Sequence, residues 1–208
     1  MPTVVAVRSG ETDWNLNGRL SGWAPVPLNE LGREQALAAG EWLTDRYTFD
    51  RAVCSDLLRT RETAARLCES LDLDPDGDRV RYSRAWRERD LGVYQGLTYG
   101  DVGERFPEFG LGETAYESTG AVPEGGESLR VMADRVTAAV DRLIERHPDE
   151  TVLLVTHGGP LHVLLGYAKG MPLRTALGSH HQPNCAVNEI RADGDGTRVV
   201  RENVTAWR

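Results

Sequence analysis

Three side chains that suit anion binding follow three separate apolar segments of the sequence. Arg8 and His157 come directly after two of these segments, and Arg59 lies one helical turn beyond the third. In an open α/β sheet, ligands bind at the carboxyl ends of the strands. If the three strands are neighbours, two guanidiniums and an imidazole converge there. Arginine offers forked donors that match phosphate oxygens and keeps its charge, so this set favours a compact dianion.

Glycines accompany these side chains. Gly10, Gly158 and Gly159 would let backbone N–H groups approach a bound anion, because glycine has no side chain to hold the ligand away. Each position alone has an ordinary explanation, since an arginine after a strand is usually a surface ion pair and a histidine beside glycine is usually a loop residue. Their joint placement at strand ends favours a phosphate site.

Strands and helices alternate along the chain, as the spacing of apolar residues indicates. The first apolar run is continuous, as in a strand buried on both faces, and the last two flank a turn rich in Asp and Gly. The predicted strands cover residues 4–7, 51–55, 151–156, 187–190 and 199–201.

Four helices are predicted between these strands, the first capped by Asn29 and the last with Pro160 at its start. This alternation predicts a three-layer α/β/α sandwich around a mostly parallel sheet. The helices are expected to begin near residue 31, to cover 56–70, to run from 127 through 144, and to cover 160–169.

Residues 86–126 break this rhythm, because they are rich in Gly, Pro, Glu and aromatic residues. We expect this segment to form a short irregular cap over the pocket, and residues 92–126 to determine the substrate specificity. The length of 208 residues suits one domain, so we predict a single domain over 1–208.

Composition and charge argue against several classes of partner and location. A net charge of −8 argues against nucleic acid or an anionic membrane as the main partner. No segment approaches the roughly 20 apolar residues that a membrane span needs, and the N-terminus lacks the basic segment of a secretion signal. The three cysteines form no close pair, which favours free thiols in a reducing, cytoplasmic location. The oligomeric state stays open.

Metal binding and a cofactor are not expected from the histidines. His180 and His181 are adjacent and therefore point apart, and no third ligand has a suitable spacing. His157 and His162 are five residues apart and so miss the spacing that places two side chains on one helix face.

The chain resembles the histidine phosphatase superfamily, the phosphoglycerate-mutase-like proteins. Residues 8–15, with the sequence RSGETDWN, are similar to the family signature R-H-G-E-T-x-W-N. The further likeness keeps the family's order and spans nearly the whole chain. It covers GR at 18–19, Gly22, PLNELG at 27–32, SDLLRT at 55–60, RERDLG at 87–92, PEGGES at 123–128 and VTHGG at 155–159.

This resemblance implies hydrolysis of a small-molecule phosphate monoester through a phosphoenzyme. Arg8, Arg59 and His157 would hold the phosphoryl group, Asn15 would add an amide donor, and Glu88 would protonate the leaving alcohol. The short cap is more like that of small broad-specificity phosphatases than of mutases, although a mutase-type phosphotransferase stays an alternative. Without the resemblance, the arginines around Glu88 would indicate a solvated ion-pair cluster.

One residue departs from the family, because the nucleophilic histidine falls on Ser9. Imidazole attacks phosphorus and leaves it readily, whereas a serine hydroxyl is a poor nucleophile without a base and forms a stable ester. Three interpretations follow: an engineered or recent replacement that impairs the enzyme, a natural phosphate-ester binder, or a working serine with His157 as its base. Retention of Glu88 speaks against a pure binder, since a proton donor serves only a leaving group.

Overall fold

Six strands form one sheet in the computed structural model, which describes residues 1–109, 118–179, 181–194 and 196–205. They are β1 Thr3–Arg8, β2 Arg51–Ser55, β3 Val80–Ser83, β4 Thr151–Thr156, β5 Val187–Asp193 and β6 Gly196–Val204. Across the sheet the order is β3-β2-β4-β1-β5-β6. The first four of these are parallel, and β5 and β6 add an antiparallel hairpin at one edge.

Helices cover both faces of the sheet. Val4 and Ala6 of β1 belong to one buried apolar cluster, and Val5 and Val7 belong to another. This alternation follows from the two-residue period of a strand, and it divides the core into two layers. The predicted three-layer α/β/α sandwich is therefore confirmed. The helices of the described part are α1 Asp13–Leu16, α2 Glu30–Thr44, α3 Leu58–Cys68, α4 Tyr99–Arg105, α5 Leu129–Arg146, α6 Gly158–Ala168 and α7 Leu173–Ser179.

Each face of the sheet packs against its own pair of helices. The cluster of Val4 and Ala6 contains the apolar stripes of α5 and α6, whereas the cluster of Val5 and Val7 contains those of α2 and α3. Among the helices of the described ranges, none combines the length and the apolar character of a bilayer span.

Some predicted helix boundaries differ from those in the structure, and two short elements were not predicted. The helix expected over 56–70 begins only at Leu58, because the backbone of Leu57 is extended. Asp56 lies before the helix, and its carboxylate accepts hydrogen bonds from Arg87. The helix expected from Pro160 already begins at Gly158. Strand β3 and helix α7 were missed, since both are short and β3 has a single buried side chain.

The expected cap contains a small apolar cluster of its own. The cap segment also contains helix α4 and turns of 3₁₀ helix at 92–94 and 107–109. Leu91, Tyr94, Val102 and Phe109 pack with Leu20 from the loop after β1, and a bridge between Arg19 and Thr98 joins the same two segments. Residues 110–117 of the expected cap lie outside the described residues.

Close backbone packing positions the loop after β1. The Gly10 N–H donates to Thr63 Oγ1 at 3.0 Å, and a Cβ atom at Gly10 would lie 2.5 Å from the carbonyl oxygen of Gly32. A Cβ atom at Gly32 would in turn collide with the carbonyl of Glu11. Helix α2, capped by Asn29 as predicted, therefore sets the path of residues 10 and 11 through a contact that only glycine permits.

Replacing Gly32 should therefore destabilise the protein. We expect Gly32→Ala to lower the free energy of unfolding by about 1–3 kcal/mol, because the added methyl group forces the loop and helix apart. The matched control is Gly103→Ala in α4, where an added Cβ meets open space. That variant should be neutral or slightly stabilising. Urea unfolding of both variants measures the difference, and equal stabilities would contradict the packing argument.

Candidate active site

The cavity at the carboxyl ends of β1, β2 and β4 contains the residues that the sequence indicated for the site, apart from Gly10. These strands are neighbours in the sheet, so the condition for convergence is met. The cavity has a volume of about 560 Å³. Seven of the indicated residues that line it are Arg8, Ser9, Asn15, Arg59, Glu88, His157 and Gly158.

Two guanidiniums are held in its wall by backbone carbonyls. Arg8 Nη1 donates to the Gln182 carbonyl, and Arg59 Nη2 donates to the Gly22 carbonyl at 2.8 Å. Burial lowers the pKa of both side chains, that of Arg59 to about 10, while Glu88 opposes the shift. Guanidinium is so strong a base that both side chains are cationic at neutral pH. A guanidinium has five donors, so these contacts orient each group and leave donors for a ligand.

His157 is buried as a neutral imidazole. Its Nε2 lies 2.8 Å from Ser55 Oγ, and its buried Nδ1 has no hydrogen-bond partner among the described residues. Burial, followed by the positive charges of Arg59 and Arg8, lowers its pKa well below the ordinary 6.5. The two arginines thus favour the uncharged form of their neighbour.

Asn15 is oriented by its carbonyl oxygen. Oδ1 accepts from Thr12 N at 3.2 Å, from Thr12 Oγ1 at 3.1 Å and from Asn184 Nδ2 at 3.3 Å. Thr12 caps α1 through the reciprocal bonds of a capping box. The amide nitrogen of Asn15 lies on the other branch of the planar group.

Position 9 is fixed through its backbone. Ser9 N donates to the Thr156 carbonyl at 2.8 Å, which extends the pairing of β1 and β4 by one residue. The Ser9 carbonyl accepts from Asn184 Nδ2 at 3.0 Å and from Cys185 N at 3.4 Å. Cys185 has a φ of 53°, a left-handed conformation that turns its N–H toward this loop. Sequence reasoning missed Asn184, because its role depends on a turn that carries no motif.

The carboxyl group of Glu88 joins the cap to helix α6. One oxygen accepts from Gly159 N at 3.0 Å and the other accepts from Arg89 N at 2.8 Å. A Cβ atom at Gly159 would collide with this carboxyl group. The glycines at 10 and 159 were expected to present N–H groups to an anion, and that prediction was wrong, because these groups donate to Thr63 and Glu88.

The alternative interpretation, a solvated ion-pair cluster around Glu88, does not describe the arginines beside it. The Arg87 guanidinium donates to both carboxylate oxygens of Asp56, at 2.6 and 2.7 Å. Arg89 is buried and donates to the backbone carbonyls of Glu127 and Ala121. The third arginine, Arg84, lies over the ring of Trp23. The neighbouring arginines therefore support the segment around Glu88 instead of pairing with its carboxyl group.

The outer wall of the cavity comes from three segments, whereas sequence reasoning expected the cap alone. Apart from Glu88, the described lining contains no acidic side chain. No group of three metal-binding side chains occurs in the described residues, and His180 lies outside them. Gly159, also indicated by the sequence, lines the cavity as well. The additional lining residues are Arg19, Leu20, Ser21 and Gly22 after β1; Arg89, Leu91 and Tyr99 from the cap; and Leu129, His162, Leu177, His181 and Gln182 from the C-terminal half.

The buried neutral His157 predicts a loss of stability in acid. Its pKa is depressed in the folded protein, so between the folded value and the unfolded value of 6.5 only the unfolded chain binds the proton. The free energy of unfolding should therefore fall below about pH 6.5, by at most about 1.4 kcal/mol per pH unit from this group. Urea unfolding between about pH 7 and pH 5 in phosphate-free buffer should show a flatter slope for His157→Gln. Parallel slopes would contradict the assignment.

Comparison with known proteins identifies relatives of this chain. Phosphoglycerate mutase-like protein 4 of Arabidopsis thaliana is 36% identical over 196 residues, covering 92% of this chain and 80% of the relative. Glucosyl-3-phosphoglycerate phosphatase of Mycobacterium tuberculosis is 35% identical over 217 residues, covering 98% of this chain and 93% of the relative.

Solved structures agree with these relatives. A mycobacterial glucosyl-3-phosphoglycerate phosphatase in complex with VO3 superposes with a TM-score of 0.83 at 31% identity, covering 97% of this chain and 98% of that one. YhfR of Bacillus stearothermophilus superposes with a TM-score of 0.87 at 27% identity over the full length of both chains. The family model of the histidine phosphatase superfamily (branch 1) matches residues 4–205, and this chain therefore belongs to that superfamily.

Proposed function

We propose that this chain binds a small phosphate monoester in the manner of a metal-independent phosphatase, and that Ser9 strongly impairs its hydrolysis. The observation that carries the proposal is a pair of guanidiniums, Arg59 buried and Arg8 part-buried, in one cavity with the carboxyl group of Glu88. Cations withdrawn from water require a counter-charge, and a phosphoryl dianion supplies it with matching geometry.

Each side chain has one task in this proposal. Arg8 and Arg59 hold the phosphoryl oxygens, and His157 and the amide nitrogen of Asn15 add neutral donors. The N–H of Gly158 adds a further donor at the start of α6, where the helix dipole favours negative charge. Glu88, which Gly159 and Arg89 orient from the backbone, faces the same cavity as the proton donor.

The parent reaction has two balanced steps. A histidine nitrogen at position 9 attacks phosphorus, the bond from phosphorus to the ester oxygen breaks, and Glu88 gives that oxygen its proton. Water then attacks the phosphohistidine and gives a proton to the Glu88 carboxylate; the bond from phosphorus to nitrogen breaks, which releases inorganic phosphate and restores both the imidazole and the protonated Glu88. With Ser9, the hydroxyl must lose its proton before attack, and the resulting phosphoserine is a stable ester. Both steps are impaired.

The cavity wall bears on the leaving group. Its volume of about 560 Å³ suits a small molecule, and its apolar and cationic lining gives an ammonium group no acidic partner besides Glu88 within the described residues. We therefore propose a neutral or anionic leaving alcohol. The relatives include a metal-independent phosphoserine phosphatase of Arabidopsis thaliana as well as the glucosyl-3-phosphoglycerate phosphatase. Phosphoserine carries an ammonium group and glucosyl-3-phosphoglycerate does not, so by the same reasoning we favour a substrate of the second kind.

Restoring the histidine is the direct test. Ser9→His should raise the turnover of p-nitrophenyl phosphate by orders of magnitude, because it restores both the attack on phosphorus and the departure from it. Steady-state kinetics of both proteins, with acid-trapped phosphoenzyme as a second readout, measure the effect. The control is Ser9→Gln, which fills similar space without a nucleophile and should stay inactive.

Two other results would decide between the remaining interpretations. Equal activity in the Ser9 and Ser9→His forms, lost in Ser9→Ala, would identify a working serine nucleophile. Anion binding without hydrolysis in all forms would identify a phosphate-ester binder, and phosphate transfer to a second substrate in place of water would identify a mutase.

The role of Glu88 is tested through the leaving group. In the Ser9→His background, Glu88→Gln should reduce single-turnover phosphoenzyme formation far more with an alkyl phosphate than with p-nitrophenyl phosphate. The reason is that an alkoxide needs a proton to leave whereas p-nitrophenolate hardly does. The matched control is Glu127→Gln, which removes a carboxylate that binds Arg135 outside the cavity. It should affect both substrates alike, and the same pattern for Glu88→Gln would show that Glu88 only supports the pocket.

A further inference from the structure

Ser55 is a buried polar residue to which the proposed reaction assigns no task. It ends β2 and is fully buried. Its Oγ lies 2.8 Å from His157 Nε2 and also accepts from Leu57 N at 3.4 Å. Its backbone carbonyl accepts separately from Thr60 Oγ1 at 3.0 Å. The hydroxyl group therefore connects the sheet to the imidazole of the candidate site.

Counting hydrogens decides the direction of the bond between Ser55 and His157. A hydroxyl group has one hydrogen and two lone pairs, and the N–H of Leu57 uses one lone pair. If His157 donated from Nε2, the hydroxyl hydrogen would be buried without a recorded acceptor, and Nδ1 would be a second unsatisfied atom. If Ser55 donates to Nε2, its hydrogen has an acceptor and one lone pair accepts from Leu57 N, which leaves Nδ1, within the described ranges, as the one unsatisfied atom of the two side chains that can donate.

The second arrangement places the ring hydrogen on Nδ1. The imidazole is buried beside the guanidiniums of Arg8 and Arg59, and a second proton on the ring would add a third positive charge to the same wall. A neutral ring carries one hydrogen, and with Nε2 accepting from Ser55 that hydrogen is on Nδ1. This is the ring atom that is buried without a partner in the described part of the chain.

We propose that Ser55 is a positioning residue that holds neutral His157 with its hydrogen on Nδ1, so that the ring donates to the bound phosphoryl group. The identity of the ligand rests on the proposed function, whereas the position of the hydrogen does not. One consequence concerns Ser9. A protonated Nδ1 has no lone pair for the serine proton, so His157 is a donor to the substrate and not the base of a Ser–His pair.

The position of the hydrogen is measurable without any ligand. The full chain, with Ser9 in place and its histidines labelled with ¹⁵N, is studied by long-range proton–nitrogen correlation in phosphate-free buffer at neutral pH. The His157→Gln variant identifies the signals of His157. We expect a neutral ring with Nδ1 protonated. A neutral ring protonated on Nε2, or a doubly protonated ring, would overturn the proposal.

Substitutions then test whether Ser55 is the cause. Ser55→Ala should shift the ring toward the Nε2-protonated form, whereas Ser55→Thr, which keeps the hydroxyl group, should retain the hydrogen on Nδ1. The matched control is Thr60→Val, which removes a buried hydroxyl that donates only to the backbone carbonyls of Ser55 and Leu57. It should leave the ring unchanged. Persistence of the Nδ1 hydrogen in Ser55→Ala would overturn the proposed role.

Binding of inorganic phosphate and vanadate, measured by calorimetry, connects the ring to the ligand. Ser55→Ala should weaken both anions about tenfold, as expected for one lost donor to a charged group, and Thr60→Val should not. Unchanged affinity in Ser55→Ala would overturn the donor role of His157. If neither anion bound the unmodified chain, the proposed function would fail, and the NMR result would still decide the position of the hydrogen.

Discussion

Two like charges in one cavity wall constrain the rest of the site. Removal from water lowers the pKa of both Arg8 and Arg59, and the charge of Arg8 lowers that of Arg59 further, so the protein stabilises this pair only in part. Backbone carbonyls orient the guanidiniums, and Glu88 offsets a fraction of their charge. Under the proposed function, a ligand that brings two negative charges completes the balance, and its binding would stabilise the folded state. The neutral state of His157 follows from the same constraint.

Rigid backbone pairing supports these charges. Position 9 continues the ladder between β1 and β4, while Gly10 and Gly32 hold the next residues against α2. Asn184 reaches the Ser9 carbonyl from the segment before β5, so three parts of the chain fix one residue. The Cα–Cβ bond at position 9 is therefore held in one direction, so a side chain there has only its own torsions left to set. This is what a nucleophile in line with a leaving group requires.

The sequence predicted most of the architecture and the polar residues at the strand ends that line the cavity, but not its outer wall. The strand ends at Ser55 and Thr156 were located correctly and that of β1 within one residue, because continuous apolar runs and family motifs mark them. The contacts between side chains were less accessible. Gly10 and Gly159 were recognised as glycines beside an anion site, yet their N–H groups serve Thr63 and Glu88. Which atom a donor meets depends on tertiary packing, and local sequence does not encode it.

Ser55 and Asn184 show the same limit, since each acts on a residue more than a hundred positions away in the chain. The packing of the cap is a separate matter. Its apolar cluster around Tyr94 and Phe109 is separate from the two clusters that flank the sheet. Changes within this cluster therefore alter one wall of the cavity without entering the two apolar clusters that hold the sheet and its helices together. Under the proposed function, the cap can accommodate a different leaving alcohol while the core on both faces of the sheet stays intact.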